Sequence, residues 1–119
     1  MAAPRHSGKV VYYGGYPGSS GRPVVGRLVW EDEALRFVPR GAAAPLFRIE
    51  RARLLGVRRS EEGLTGARRV RLLVDARTEQ GAAATLKFEM SGLLPKERKL
   101  ARWLAVLGPA GAERRGDHG

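Results

Sequence analysis

The sequence predicts a mainly β domain: six to seven antiparallel strands closed by one C-terminal helix. Three observations predict it. Apolar and polar residues alternate in short runs from Val24 to Met90, the period of strands with one buried face. The runs are separated by short segments rich in Gly, Pro and acidic residues, which suit hairpin turns. The period then changes. In residues 95–107 (PKERKLARWLAVL), Leu100, Trp103, Leu104 and Leu107 fall at i, i+3, i+4 and i+7, a single apolar stripe along a helix.

Residues 1–8 (MAAPRHSG) read as a disordered terminus, which places His6 outside the fold. Residues 9–13 (KVVYY) read as a short edge strand. Residues 14–23 (GGYPGSSGRP) hold four Gly, two Pro and two Ser, the composition of a loop. That loop opens a strand and lacks the GK[ST] ending of a phosphate-cradling loop. Residues 24–30 (VVGRLVW) and 34–39 (ALRFVP) flank Glu31, Asp32 and Glu33 as a β-hairpin. Val24, Gly26, Leu28 and Trp30 share one face of the first strand, and Val25, Arg27 and Val29 the other. In the second, Leu35 and Phe37 oppose Arg36 and Val38.

After a turn at 40–45, residues 46–50 (LFRIE) put Phe47 and Ile49 inward and Arg48 outward. A break at 51–53 leads to 54–59 (LLGVRR), with Leu55 and Val57 inward. Residues 60–67 (SEEGLTGA) read as a loop. Residues 68–76 (RRVRLLVDA) set Val70, Leu72 and Val74 against Arg69, Arg71 and Asp75. Residues 84–90 (ATLKFEM) send Leu86, Phe88 and Met90 inward and Thr85, Lys87 and Glu89 outward. In the closing helix Pro95 suits the first position, where no N–H partner is needed, and Gly108 and Pro109 read as its stop. Residues 108–119 carry no large apolar side chain and read as a disordered tail.

At 119 residues the chain is one domain with one core. It contains no Cys, which removes disulfides, thiolate catalysis and Cys-based metal sites. Residues 1–8 lack the apolar segment of a signal peptide, and no apolar run approaches the roughly 18 residues that span a bilayer. The expected location is cytoplasmic. The only histidines, His6 and His118, fall in the expected tails, so no His base or His metal site is expected inside the fold. Carboxylates in turns and opposite apolar faces form no catalytic or calcium-binding pattern. No cofactor, no metal and no enzymatic activity are expected.

The formal net charge is +10, and 18 of the 22 basic residues are Arg. This composition reflects either bidentate contacts to phosphate and carboxylate or a GC-rich coding sequence; the positive field exists in both cases. Arg48, Arg58, Arg69, Arg71 and Lys87 belong to four consecutive strands, with Arg48, Arg69, Arg71 and Lys87 on outward faces and Arg58 dependent on register. Side by side, about 4.8 Å apart, they would form an anion- or partner-binding face. Alternatively Glu50, Asp75, Glu79 and Glu89 interleave with them and neutralise it.

The segments GRLVWEDEALRFVPR, LFRIERARLLGV, RRVRLLVDA, ATLKFEM and KERKLARWLAVL together resemble bacterial pleckstrin-homology-like and GRAM-type domains. Gly26, Leu28, Leu35, Phe37, Phe47, Ile49, Val57, Leu72, Phe88, Trp103 and Leu104 fill the recurring core positions. The resemblance implies a partly open barrel of two near-orthogonal sheets capped by the helix, acting as a module for phosphoinositide lipids or proteins. Lipid-binding members carry basic residues around the first hairpin. Here its tip is Glu31-Asp32-Glu33, so no binding residue is carried over. The expected function is a non-catalytic binding module for a protein partner or an anionic surface such as lipid headgroups. The alternative is a nucleic-acid-binding small β-barrel that uses the basic sheet face, with Tyr12, Tyr13 and Tyr16 as the only rings outside inward patterns. If the helix closes the core, Trp103→Ala costs about 3–5 kcal/mol in denaturant unfolding, and a loss under about 1 kcal/mol would remove the helix from that role.

Overall fold

The alternating runs become strands, and one strand joins them into a single sheet. The computed structural model describes residues 5–62, 69–92 and 95–116. In chain order these are β1 (His6–Tyr12), β2 (Val24–Glu31), β3 (Ala34–Pro39), β4 (Phe47–Glu50), a 3-10 turn (Arg51–Arg53), β5 (Leu54–Glu62), β6 (Arg69–Arg77), β7 (Ala83–Met90) and α1 (Lys96–Gly116). All seven strands lie in one antiparallel sheet with the order β4-β3-β2-β1-β7-β6-β5.

That order corrects two expectations. The strands form one sheet, not two near-orthogonal ones, and the sheet is not closed into a barrel. β1 is not at an edge: it pairs with β2 from His6↔Trp30 to Tyr12↔Val24 and with β7 from Val10↔Met90 to Tyr12↔Phe88. Edge or centre is a matter of partners distant in sequence, which the local run KVVYY does not specify. β1 also begins earlier than expected, so His6, Ser7 and Gly8 are strand residues, not a tail. Residues 1–4 of that expected tail, and His118, lie outside the described residues.

The two ends of the sheet are consecutive in the chain. Seven flat strands would span about 29 Å between the outermost axes, whereas the turn Arg51–Arg53 advances only about 6 Å. The sheet therefore curls until β4 and β5 come near, although no ladder joins them. The turn is anchored from across the sheet. Arg51 donates its backbone N–H to the Glu33 carbonyl at 2.8 Å and its guanidinium to Glu33 Oε2 at 2.8 Å. Glu33 sits in the two-residue turn between β2 and β3, where Asp32 and Glu33 both have positive φ, 55° and 61°. This is the mirror-image turn whose twist matches paired strands.

The inward faces meet as expected along β2, β3, β4, β6 and β7. Leu28, Leu35, Phe37, Ile49, Leu72, Val74, Leu86 and Phe88 are fully buried. β5 is the exception. A register irregularity between Leu54 and Gly56 shifts the alternation, so Leu54 is buried and Leu55 only half-buried, the reverse of the expected facing. Such a bulge inserts one residue; beyond it Val57 lies opposite Val74 and packs against the core, the inward facing expected of it. β5 also continues to Glu62, through part of the segment read as a loop; residues 63–67 of that loop lie outside the described residues.

Leu100, Trp103 and Leu107 of α1 are buried against the sheet, and Leu104 is half-buried. Pro95 precedes the first helical residue, and its carbonyl accepts from Lys99 N–H at 3.3 Å. The helix does not stop at Gly108 and Pro109 but continues to Gly116. Pro109 removes one N–H from the ladder, and the following Ala, Glu and Arg residues are strong helix formers that carry it on.

The loop between β1 and β2 is pinned, not slack. The buried Tyr12 hydroxyl lies 2.7 Å from Ser19 Oγ and accepts from Tyr16 N–H at 3.0 Å. The Tyr16 ring stacks on Phe47 at 5.3 Å. At Gly15 (φ 116°) a Cβ would fall 1.9 Å from the Thr85 carbonyl oxygen, so only glycine fits. Gly26 is similarly tight: a Cβ there would lie 2.4 Å from the Val38 carbonyl and 2.7 Å from the Phe37 ring. Gly26→Ala is expected to lower stability by about 1–3 kcal/mol, read from the denaturant midpoint; an unchanged midpoint would mean that β2 and β3 separate there at no cost.

Candidate anion-binding face

The outer face of the sheet is charged because strand alternation puts every second residue there. Its rows follow from the registers. Arg36 lies opposite Arg48, Lys9 opposite Arg27, Arg71 opposite Glu89, and Leu73 opposite both Arg58 and Lys87. Val29 and Leu73 are buried on this outer side, flanked in register by Arg36 and by Arg58 and Lys87. Long basic side chains can cover such apolar positions with their stems.

The five sequence-predicted residues do not form one cluster. Arg48 is on β4, at one end of the strand order, and the other four are on β5, β6 and β7, at the far end. Several are matched to acids. Arg48 pairs with Glu50 at 3.0 Å. Arg58 makes a fork to Asp75, 2.9 and 3.1 Å, and Thr85 Oγ1 donates to the same carboxylate at 2.6 Å. That hydrogen bonding raises the Arg58 pKa above its ordinary value. Arg71 lies over the Tyr13 ring at 4.5 Å, a cation–π arrangement. Tyr13 in turn donates to Glu89 Oε2 at 2.8 Å. This bond, then burial, raises the Tyr13 pKa against the opposing pull of Arg69 and Arg71. Arg69 is exposed and opposite Glu62 in register, and Lys87 is half-buried. The interleaved carboxylates thus neutralise much of this end of the face.

The acidic hairpin tip is also occupied. Glu31 binds Arg5 at 2.8 Å and Arg36 at 3.1 Å, and Glu33 binds Arg51. Arg59 binds Glu61 and Glu97 beside α1.

Three cations that the sequence reading passed over are different. Lys9 and Arg27 are direct register partners in β1 and β2, and Arg40 follows β3. Among the described residues, no carboxylate lies within ion-pair distance of any of them. With Val25, Val38 and Pro39 they line a hollow of about 370 Å³. Val25 is exposed, at 39%. The signal was present in the sequence as outward alternation in KVVYY and VVGRLVW, but the two runs become neighbours only through the central placement of β1.

The aromatic inventory changes as well. Tyr12, read as available to stack on bases, is core. Tyr16 covers Phe47, and Tyr13 is covered by Arg71. No group of three His, Cys, Asp or Glu side chains among the described residues could hold a metal ion. No protein-family model matches this chain, and no curated protein is similar to it.

His6 belongs to the fold, contrary to the expected tail. Its ring meets Trp103 edge-on at 4.4 Å. Burial, then the Arg102 charge, lowers its pKa below the ordinary histidine value. Arg98, Lys99 and Lys9 line the same pocket, and the Arg5–Glu31 pair is next to it. The unfolded chain therefore takes up this proton more readily than the folded one. Stability from His6 is fully present above the ordinary histidine value and is lost as pH falls through it toward the folded-state value. Melting curves between about pH 8 and pH 5 should show an acid-side fall that His6→Gln reduces. Parallel curves for the two proteins would mean that His6 titrates as it does unfolded.

Proposed function

We propose that this chain is a non-catalytic binding module of the pleckstrin-homology-like superfold, which docks an acidic protein surface around Lys9, Arg27 and Arg40. One observation carries the reading. Lys9 and Arg27 face each other directly across β1 and β2, with no carboxylate in ion-pair distance among the described residues, whereas Arg36, Arg48, Arg51, Arg58 and Arg59 all have carboxylate partners. Like charges directly opposite one another destabilise a sheet, so the fold gains nothing from them. An acidic partner would remove the repulsion. Exposed Val25 with Val38 supplies apolar area between the charges, as in a protein interface where apolar contact is ringed by polar groups.

The fold reading rests on seven antiparallel strands followed by one helix packed on the sheet. The cytoplasmic reading rests on the Cys-free sequence. Among the described residues no helix is long and apolar enough to cross a membrane. Nucleic acid is the weaker partner class, because single-strand platforms need free rings on which bases stack, and the three tyrosines are occupied by Ser19 and Tyr16, Arg71 and Phe47.

Two measurements on Arg27→Glu test the proposal together. Reversing one charge should raise stability by about 0.2–1 kcal/mol, since repulsion becomes attraction. The same change should weaken binding to a polyglutamate peptide at least about tenfold at physiological salt. If a single-stranded oligonucleotide binds more tightly than polyglutamate and loses as much in the variant, the nucleic-acid reading replaces this one. Unchanged polyglutamate affinity would refute docking at this face.

A further inference from the structure

A second cationic site lies where β1 outlasts β7. Ser91 N–H donates to the Lys9 carbonyl at 3.1 Å, and β7 pairs with β1 no further toward His6. His6, Ser7 and Gly8 continue beside α1 with β2 on their other side. Alternate residues of a strand direct their backbone groups to the same edge. Ser7 therefore turns its N–H and C=O the same way as Lys9, past the end of β7. α1 lies across the opening, tied to the end of β7 by Lys99, whose ammonium donates to the Ser91 carbonyl. The pocket left between strand and helix has a volume of about 420 Å³, within the roughly 300–1,000 Å³ of small-molecule sites.

Its lining combines one sign of charge with an apolar base. Lys99, Arg98 and Arg102 contribute the charge, and Trp103 and Met90, both 2% exposed, contribute the base. No carboxylate lines it among the described residues. Glu97, Glu31 and Glu89 are held elsewhere: Glu97 accepts from Arg59 at 2.9 Å, Glu31 is shared by Arg5 and Arg36, and Glu89 accepts from Tyr13 at 2.8 Å. Arg98 and Arg102 stand one helical turn apart on the same face, an arrangement that costs helix stability when both are charged. Both are exposed and neither has an ion-pair partner among the described residues. The His6 pKa is depressed first by burial and then by the charge of Arg102.

The charge number selects the ligand. A monocarboxylate would offset one of these cations. A phosphate monoester carries about −1.5 to −2 and three acceptor oxygens, which suits two guanidinium forks and an ammonium. The Trp103–Met90 base offers contact to a carbon skeleton that inorganic phosphate does not have. We infer that the pocket between β1 and α1 binds a small organic phosphate, with Arg98, Arg102 and Lys99 on the phosphate and Trp103 and Met90 against the organic group. This site is distinct from the docking face around Arg27 and shares only Lys9 with it.

The test uses the full chain with phenyl phosphate and inorganic phosphate as probes. Phenyl phosphate should bind saturably at one equivalent, perturb tryptophan fluorescence and raise the pKa of His6 in an NMR titration. Its affinity should exceed that of inorganic phosphate at least about fivefold, the worth of a small apolar contact. An Arg98→Ala/Arg102→Ala double variant should lose at least about tenfold, the usual size of one lost charged hydrogen bond. Both positions are exposed on α1, so an unchanged thermal melt is expected to show that the variant folds. Arg27→Ala, on the docking face, should keep its phenyl phosphate affinity, so failure here and failure of the docking proposal read out separately. Three outcomes would overturn the inference: no saturable binding, equal affinity for the two probes, or an equal loss in Arg27→Ala. The last would mean a diffuse field in place of a site.

Discussion

The double pairing of β1 is the constraint on which the rest depends. One edge of this strand carries β2, β3 and β4, and the other carries β7, β6 and β5. Without it the chain would hold two small sheets with a short link at Arg51–Arg53. Tyr12, last in the strand, lies where both ladders overlap, with its ring 5.3 Å from each of Phe37, Phe47 and Phe88. Those three rings come from β3, β4 and β7, so one side chain spans both halves of the sheet. Its hydroxyl meanwhile holds the Gly-rich loop through Ser19 and Tyr16. The ordering of that loop is thus a consequence of the core, not of the loop's own composition. The same pairing joins a strand at the start of the chain to one near its end, the kind of non-local contact whose loop-closure entropy slows folding.

This constraint also divides what the sequence could reveal from what it could not. Alternation is local, and the faces of β2, β3, β4, β6 and β7 follow it: Phe37, Ile49, Val74 and Phe88 are buried as their period requires. The helical stripe is equally local, and Leu100, Trp103 and Leu107 are core. Facing failed only at the start of β5, where a bulge after Leu54 turns Leu55 away while Val57 still packs inward; a two-residue period carries no mark of an extra residue. Position failed for β1, because KVVYY reads the same at an edge or in the centre. His6 was missed with it, since a Ser-Gly segment before the first apolar pair reads as frayed.

The candidate site was legible to the same depth. That Arg48, Arg69, Arg71 and Lys87 point outward is local information. Which acids they meet is set by register, and register depends on turn lengths and partners. Asp75 beside Arg58 and Glu89 beside Tyr13 and Arg71 are cross-strand facts. Lys9 and Arg27, which lack acids among the described residues, could not be recognised as neighbours before β1 was placed, whereas Arg98 and Arg102 are neighbours by the local period of the helix alone.

The distribution of compensation bears on why the chain is so basic. With 22 basic and 12 acidic residues, some cations must be left over. If the excess were only compositional, the leftovers would have no reason to meet, since separation by more than a Debye length of about 8–10 Å removes most of their repulsion. Among the described residues Arg22, Arg77 and Lys96 are left over singly, but Lys9 faces Arg27 across β1 and β2, and Arg98 and Arg102 line one pocket. Glu31 and Glu97 are occupied by Arg5, Arg36 and Arg59. Much of the uncompensated charge is thus gathered at the two places to which we assign anionic partners, where the repulsion it costs is relieved only by an anion from outside the chain.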